Sequence, residues 1–413
     1  MEKVITVNVK LKNDFSKDDS ANELIRLCHT AGCEVVEVFN VRVEAYNPAF
    51  FIGSGKVKEI CEYVEQNNIE AVIFNDDITP AQQKNLEEFI PAKIIDRTRL
   101  ILDIFAQRAR TKEGRLQVEL AQLNYILPRL SGRGAAMMQQ KGGIGMRGPG
   151  ERKLEYDRRK IRKKIADLEE DISAVQRERM VRRSQRANVP VPQVALAGYT
   201  NAGKSTLLNA LTKRQSAYAD DKLFATLDPT TRRVHFPSGI TVLFTDTVGF
   251  IQKLPHGLVS AFRATLEETK FADLVLHISD ACSDEIEVHS KTVMGILNDI
   301  NPQGGEVLTV FNKCDSLSEI KFKALKNRFP AAVFISAKTG EGFEKLFAKV
   351  EELISRKWKK RTILIPFEKQ YLFKEIYSRT LIMKREETKE GTFLSFMATD
   401  GNYRAINKKL FSC

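Results

Sequence analysis

The run Val191 to Ala197 leads directly into Gly198-Tyr199-Thr200-Asn201-Ala202-Gly203-Lys204-Ser205, and the helical pattern Thr206-Leu207-Leu208-Asn209-Ala210-Leu211 follows at once. A buried strand, a loop of the form G-x-x-x-x-G-K-[ST] and a helix, in that order, constrain the fold strongly: they build an anion nest at the edge of an α/β sheet. The glycines let successive backbone N–H groups turn inward, and the helix N-terminus adds its partial positive charge. Phosphate is the anion such a loop takes. Lys204 is placed to reach β- and γ-phosphates, and the Ser205 hydroxyl can fill one position on a magnesium ion.

Two later segments select the base. Asn312-Lys313-Cys314-Asp315 follows the apolar run Val307 to Phe311, and Ser336-Ala337-Lys338 follows Ala332 to Ile335, each at the carboxyl end of an expected parallel strand. A carboxylate such as Asp315 accepts hydrogen bonds from both N1–H and the exocyclic amine of guanine, a pattern that adenine cannot offer. The nucleotide is therefore GTP. Asp246-Thr247-Val248-Gly249, after the strand-like Thr241 to Phe244, adds a carboxylate able to hold magnesium through water and a glycine amide able to meet the γ-phosphate. Hydrolysis removes that contact, so it is a switch contact. Upstream, Phe224-Ala225-Thr226-Leu227-Asp228 supplies Thr226 as a further metal ligand, with Thr230 and Thr231 equally able by chemistry alone.

Lys204, Thr226 and Gly249 are thus the candidates for transition-state stabilisation. The residue after Gly249 is Phe250, where many GTPases have a glutamine that orients the attacking water. A phenylalanine ring cannot do this, so slow turnover is expected from the isolated protein. Something outside the chain then completes the site.

The remaining sequence reads as three further domains around a GTPase domain at 191–357, in a multidomain α/β protein. From residue 1 to 105, apolar strand-like pieces (Val4 to Val9, Cys33 to Phe39, Ala71 to Phe74, Ala92 to Ile95) alternate with helical ones (Ser20 to Thr30, Ser54 to Gln66, Pro80 to Phe89). This predicts an α/β domain with a largely parallel sheet. Gly53-Ser54-Gly55-Lys56 resembles half of a phosphate loop, but a helix N-cap at Ser54 accounts for it. Over 106–188, Leu116, Leu120, Leu123 and Leu127 form one apolar seam, and Ile161, Ile165, Leu168, Ile172 and Val175 form another. Two short seams joined by one loop predict a long antiparallel helical hairpin within a monomer. Residues 361–413 read as a small α+β domain, with strands at Thr362 to Ile365 and Thr392 to Met397, a helix from Glu368 to Ser378, and a short polar end.

Charge is concentrated rather than spread. The net charge is +12, yet residues 129–188 hold 17 Lys or Arg against 8 Asp or Glu, and residues 356–413 hold 14 against 6, which leaves the rest of the chain net negative. The connecting loop, 131–150, has seven glycines, Arg133, Lys141 and Arg147, and no acidic residue. A basic, glycine-rich tip on a stiff hairpin suits a cavity lined by RNA phosphates. At the N-terminus, Met1-Glu2-Lys3-Val4-Ile5 lacks a signal-peptide pattern, no apolar run reaches membrane-spanning length, and six cysteines show no paired C-x-x-C spacing. A cytoplasmic location without membrane insertion is expected.

Several of these segments carry a resemblance. Gly142-Gly143-Ile144-Gly145-Met146-Arg147-Gly148-Pro149-Gly150-Glu151, Phe224-Ala225-Thr226-Leu227-Asp228, Asp246-Thr247-Val248-Gly249-Phe250 and Phe51-Ile52-Gly53-Ser54-Gly55-Lys56 resemble the HflX family of ribosome-associated GTPases, in the translation-factor-related class. The likeness spans roughly residues 1 to 360. One departure is Arg152-Lys153-Leu154-Glu155, where the family usually continues Thr-Gln-Leu-Glu. The resemblance implies that the phenylalanine-led segment is the first switch, which favours Thr226 over Thr230 and Thr231. It further implies binding to the large ribosomal subunit (50S) and its ribosomal RNA, GTPase stimulation by the ribosome, and ribosome splitting or rescue under stress. Some related GTPases hold potassium on an asparagine at the position of Asn201; its side chain can equally bond its own backbone. The other reading of the chain is a GTP-dependent switch that docks on a protein or a membrane-peripheral partner.

Overall fold

The computed structural model describes residues 1–13, 20–130, 149–186, 191–212, 224, 226–252, 268–300 and 306–411, with side chains within 149–186 described for 154–179. The described residues fall into two compact units. The first takes those of Met1–Val175, Asp221–Leu227 and Gln252–Phe262; the second takes those of Gln176–Asp220, Asp228–Ile251 and Arg263–Cys413.

In the first unit, β1 (Glu2–Leu11), β2 (Cys33–Val43), β3 (Ala71–Phe74) and β4 (Lys93–Asp96) form a parallel sheet in the order β2-β1-β3-β4. Between them run α1 (Ser20–Ala31), α2 (Ser54–Asn67) and α3 (Pro80–Phe89), and α4 (Arg97–Arg108) follows β4. Strand alternation sends Ile5, Val7 and Val9 to one face, where they pack with Ile60 and Val64 of α2 and Leu86 of α3. The expected alternation is present, with all four strands parallel. The cap differs from expectation: Gly53, not Ser54, is the N-cap of α2, and no side chain caps that end. Glycine reaches the extended cap conformation without needing a partner, so Ser54 becomes the first helical residue. At α3, by contrast, Thr79 and Gln82 form a capping box ahead of Pro80.

Two long helices follow, α5 (Lys112–Arg129) and α6 (Pro149–Arg186). On α6 the periodic seam is visible as burial: Leu168 and Ile172 are buried, and Ile161, Ile165 and Val175 are half-buried between exposed neighbours. On α5 the leucines of the seam are half-buried, and Val118 and Ala121 are the apolar residues fully covered. Lys164 of α6 pairs with Glu119 of α5. The glycine-rich tip lies outside the described residues over 131–148, as do the side chains of Arg152 and Lys153.

In the second unit a six-stranded sheet runs in the order β10-β9-β8-β5-β7-β6. Its strands are β5 (Gln193–Gly198), β6 (Thr230–His235), β7 (Thr241–Asp246), β8 (Leu274–Asp280), β9 (Glu306–Asn312) and β10 (Val333–Phe334). Only β6, paired with β7, is antiparallel. Helices α7 (Lys204–Leu211), α8 (Ile286–Ile300), α9 (Glu319–Arg328) and α10 (Phe343–Lys357) complete this layer structure. Leu196, Ile278 and Val310 from neighbouring strands meet Leu207 of α7 and Leu346 and Val350 of α10 in one core. The i, i+4 spacing of Leu346 and Val350 places both on one face of α10.

The same unit continues into a three-stranded antiparallel sheet, β11 (Trp358–Ile365), β12 (Leu381–Thr388) and β13 (Gly391–Thr399), in the order β11-β13-β12, with α11 (Phe373–Arg379) and α12 (Asp400–Phe411). Two features depart from expectation. The expected short polar end is α12, whose Ile406 and Leu410, four residues apart, join Leu394 and Phe396 in the core. Strand β12 has no counterpart in the sequence reading because Lys384 to Thr388 are polar and exposed, as suits the edge of a sheet.

Candidate functional site

Strand β5 ends at Gly198, and the chain turns through five residues before α7 begins at Lys204. Gly203, the N-cap, has φ +89°, and a Cβ there would collide with the Asn312 side chain. The loop therefore needs glycine at this point for both conformation and space. Asn201 has φ +61°, a region that asparagine enters more readily than most residues. Lys204 folds back over the loop: its Nζ donates to the carbonyls of Gly198 at 2.9 Å and Tyr199 at 2.8 Å, with the side chain 6% exposed. Burial pushes its pKa down to about 8, and the nearby Asp246 carboxylate acts in the opposite direction. An anion at the loop would relieve that penalty.

Strand β7 brings the next group alongside. Ser205 Oγ donates to Asp246 Oδ2 at 2.6 Å, and Thr247 Oγ1 donates to the carbonyl of Leu196 at 2.6 Å, which ties the strand end to β5. Gly249 lies so close to the loop that a Cβ would stand 2.8 Å from Thr200 Cα and 3.0 Å from Lys204 Nζ. Beyond it, the Phe250 N–H donates to Gly198 O at 3.1 Å, and the Thr200 N–H donates to Phe250 O at 2.7 Å. Phe250 therefore meets the loop through its backbone, in a short parallel bridge with Tyr199.

The two base-recognition segments are braced by one side chain. Asn312, 2% exposed, donates from Nδ2 to Ala202 O at 2.9 Å and accepts from the Ala337 N–H at Oδ1, also at 2.9 Å. It thereby fixes the phosphate loop and Ser336-Ala337-Lys338 to the end of β9. Lys313, at φ +66°, pairs with Asp280 at 2.7 Å, and Ser336 Oγ accepts from the Thr339 N–H at 3.1 Å. A hydrogen bond from Ser336 holds the Asp315 carboxyl below its ordinary pKa, with Lys338 acting the same way. An aspartate is ionised at neutral pH in any case, and this shift keeps Asp315 an acceptor at lower pH as well.

Gly198 to Thr206, Asp228, Asp246 to Gly249, Asn312, Lys313, Asp315 and Ser336 to Lys338 all belong to the second unit. Phe224, Thr226 and Leu227 instead belong to the first unit, and Ala225 lies outside the described residues. Two residues of this region escaped the sequence reading. Asp280 closes a buried, largely apolar run, Leu274 to Ser279, interrupted by His277, and that run was the available signal. His289 stacks on Tyr199 with ring centroids 3.8 Å apart, a pairing set by tertiary packing with no local signature.

Comparison with known proteins finds matches from residue 18 to residue 411. Residues 18–106 match the model of a GTP-binding GTPase N-terminal region, 108–186 a GTP-binding GTPase middle region, 193–313 a 50S ribosome-binding GTPase, and 320–411 an HflX C-terminal domain. The GTPase HflX of Caldanaerobacter subterraneus subsp. tengcongensis is 46% identical over 374 residues, covering 91% of this chain and 86% of that protein. The GTPase HflX of Escherichia coli K12 is 40% identical over 393 residues, covering 95% and 92%. A crystal structure of SsGBP with GDP shares the fold at a TM-score of 0.50 and 23% identity, covering 86% of this chain and 99% of that one. Identity at this level over nearly the full length of both chains means that this protein is a GTP-hydrolysing enzyme and belongs to the HflX family.

Proposed function

We propose that GTP binding readies this protein to dock on the large ribosomal subunit and its RNA, that hydrolysis releases it, and that the cycle dissociates or rescues ribosomes under stress. The observation that supports this most is helix α6. Its half-buried apolar seam leaves Arg159, Lys160, Arg162, Lys163 and Lys164 exposed, directly after the basic glycine-rich segment. Such a row neutralises phosphates and loses affinity as salt rises. The protein acts as a monomer in the cytoplasm; among the described residues no helix is long and apolar enough to cross a membrane.

Within the nucleotide site, Lys204 and the Gly249 amide stabilise the γ-phosphate, and the backbone of Gly198 to Thr206 cradles the others. The donor set fits magnesium: a hydroxyl and a carboxylate, both hard oxygens, stand together at Ser205 and Asp246. Ser205 and Thr226 would hold the ion directly and Asp246 through water, and when bound it neutralises charge between the phosphates. Turnover in potassium against sodium tests whether Asn201 holds a potassium ion; equal rates would sink that reading and leave the left-handed backbone as the reason for the residue. Acceleration by potassium would assign Asn201 a cation.

Sedimentation with purified large subunits tests the docking. Binding should require a non-hydrolysable GTP analogue, fall steeply with salt, and weaken at least about tenfold when Gly142 to Gly150 are deleted, with GTP affinity unchanged. Subunit splitting that survives the deletion would contradict the role of the tip. GTP-dependent capture of a protein after nuclease treatment, without ribosomal material, would favour the protein-docking switch instead.

A further inference from the structure

Tyr199 carries the only aromatic ring of the phosphate loop, and phosphate binding by main-chain amides has no use for a ring. Its carbonyl does have a use. It accepts from Lys204 Nζ at 2.8 Å and from the Ala202 N–H at 3.3 Å, so the orientation of this one peptide sets both the curl of the loop and the aim of the ammonium. The main chain on either side is held by Phe250, through Gly198 O and the Thr200 N–H. The side chain is held separately. Tyr199 is 8% exposed, and its ring lies flat on the imidazole of His289, with centroids 3.8 Å apart and planes at 17°.

The imidazole is itself fixed. His289 lies near the start of α8, where its N–H donates to Glu285 O at 3.0 Å, its Nδ1 stands 3.4 Å from Ser283 Oγ and its Nε2 stands 3.5 Å from Glu285 Oε2. The Glu285 N–H donates in turn to Ser283 Oγ at 3.2 Å. Asp280 shapes the turn that carries both residues: its Oδ1 accepts from the Cys282 N–H at 2.9 Å, and its carbonyl accepts from the Ser283 N–H at 3.3 Å. Its other carboxylate oxygen pairs with Lys313 of the base-recognition segment. Contacts therefore run without a gap from Lys313 through Asp280 and its turn to His289, and from the imidazole to Tyr199 and Lys204. All of these residues lie in the second unit.

We propose that His289 is a positioning residue for GTP hydrolysis: its ring clamps Tyr199, so that the Tyr199 carbonyl keeps the Lys204 ammonium aimed at the phosphates. His289 acts through Tyr199 and not on the nucleotide. The proposal rests on Lys204 as the phosphate lysine, and it stands whether or not ribosomes are the partner. Groups that hold a transition-state donor in place act on kcat more than on KM.

Two substitutions separate the ring from its nitrogens. His289→Gln keeps a hydrogen-bonding group and loses the ring, whereas His289→Phe keeps a flat ring to lie on Tyr199 and loses both nitrogens. Steady-state GTP hydrolysis by the purified full chain should show kcat lowered about three- to tenfold in His289→Gln, with KM for GTP within about twofold and the thermal midpoint within about 5 °C of the parent. His289→Phe should restore kcat to within about twofold of the parent. Parental kcat in His289→Gln overturns the proposal, and so does a kcat in His289→Phe as low as that of His289→Gln. A fall in kcat that comes with a matching rise in KM or a larger loss of thermal midpoint also overturns it, leaving the stack as packing only. Lys204→Ala assayed alongside distinguishes the two assignments: if its turnover is lowered while His289→Gln is parental, Lys204 keeps its role and His289 alone loses its own.

Discussion

Lys204→Ala is expected to lower GTP turnover by about 10²- to 10³-fold, the scale seen when one pre-positioned transition-state donor is removed from an enzyme. The reasoning starts from burial. The ammonium is nearly enclosed, is held by two carbonyls of its own loop, and has its pKa pushed down to about 8 by desolvation. A γ-phosphate supplies the negative charge that the burial lacks, so binding should stabilise the protonated lysine. The sign of the pH dependence follows. Below about pH 8 the free protein already carries the ammonium; above it, binding must take up a proton, and GTP affinity should fall by up to about tenfold per pH unit. The Lys204→Ala variant should lose that slope as well as the turnover. Nucleotide titrations between pH 7 and 9 on both proteins check this, and a variant with parental turnover and affinity would remove Lys204 from the phosphate site.

Asp315→Asn should reduce the preference for GTP over ATP by roughly 10²-fold or more, because hydrogen bonds to an ionised acceptor are among the stronger ones and an amide can replace only one of the two. A carboxylate here can accept from both N1–H and the exocyclic amine of guanine; an amide would turn a donor toward one of these donors and so place two N–H groups face to face. The local structure makes this a clean substitution. Asp315 sits in a short turn, Cys314–Ser316, and the surrounding frame is held by Asn312 and by the Cys314 N–H donating to Ile335 O at 3.1 Å. Thermal stability should therefore hardly move. Competition between GTP and ATP for the variant measures the effect, and full retention of guanine preference would transfer base recognition to other groups.

What could be read from residues alone was whatever local chemistry dictates. The strand-loop-helix at Gly198 to Leu211 was legible because glycine at positive φ and a lysine at the helix start leave few alternatives. The parallel sheet of the first unit followed from alternating apolar strands and helices. Asn312 was placed correctly in order, but its action as a brace was hidden, since its partners Ala202 and Ala337 come together only through the strand order of the sheet. Helix α12 was missed because only two well-spaced apolar residues, Ile406 and Leu410, drive its burial. The polar edge strand β12 exposes too much to show strand alternation.

Phe250 unites these strands of evidence. It follows Gly249 where a water-orienting side chain could stand, and its backbone hydrogen-bonds to the phosphate loop. The chain therefore holds the nucleotide-binding parts of a GTPase and a basic arm, and the proposal assigns the missing catalytic help to the surface on which that arm docks. Measuring GTP turnover by the full chain with and without purified large ribosomal subunits, at one fixed salt concentration, tests this directly. The account predicts stimulation of about tenfold or more, lost when Gly142 to Gly150 are deleted; turnover that is the same with and without the subunits would contradict it.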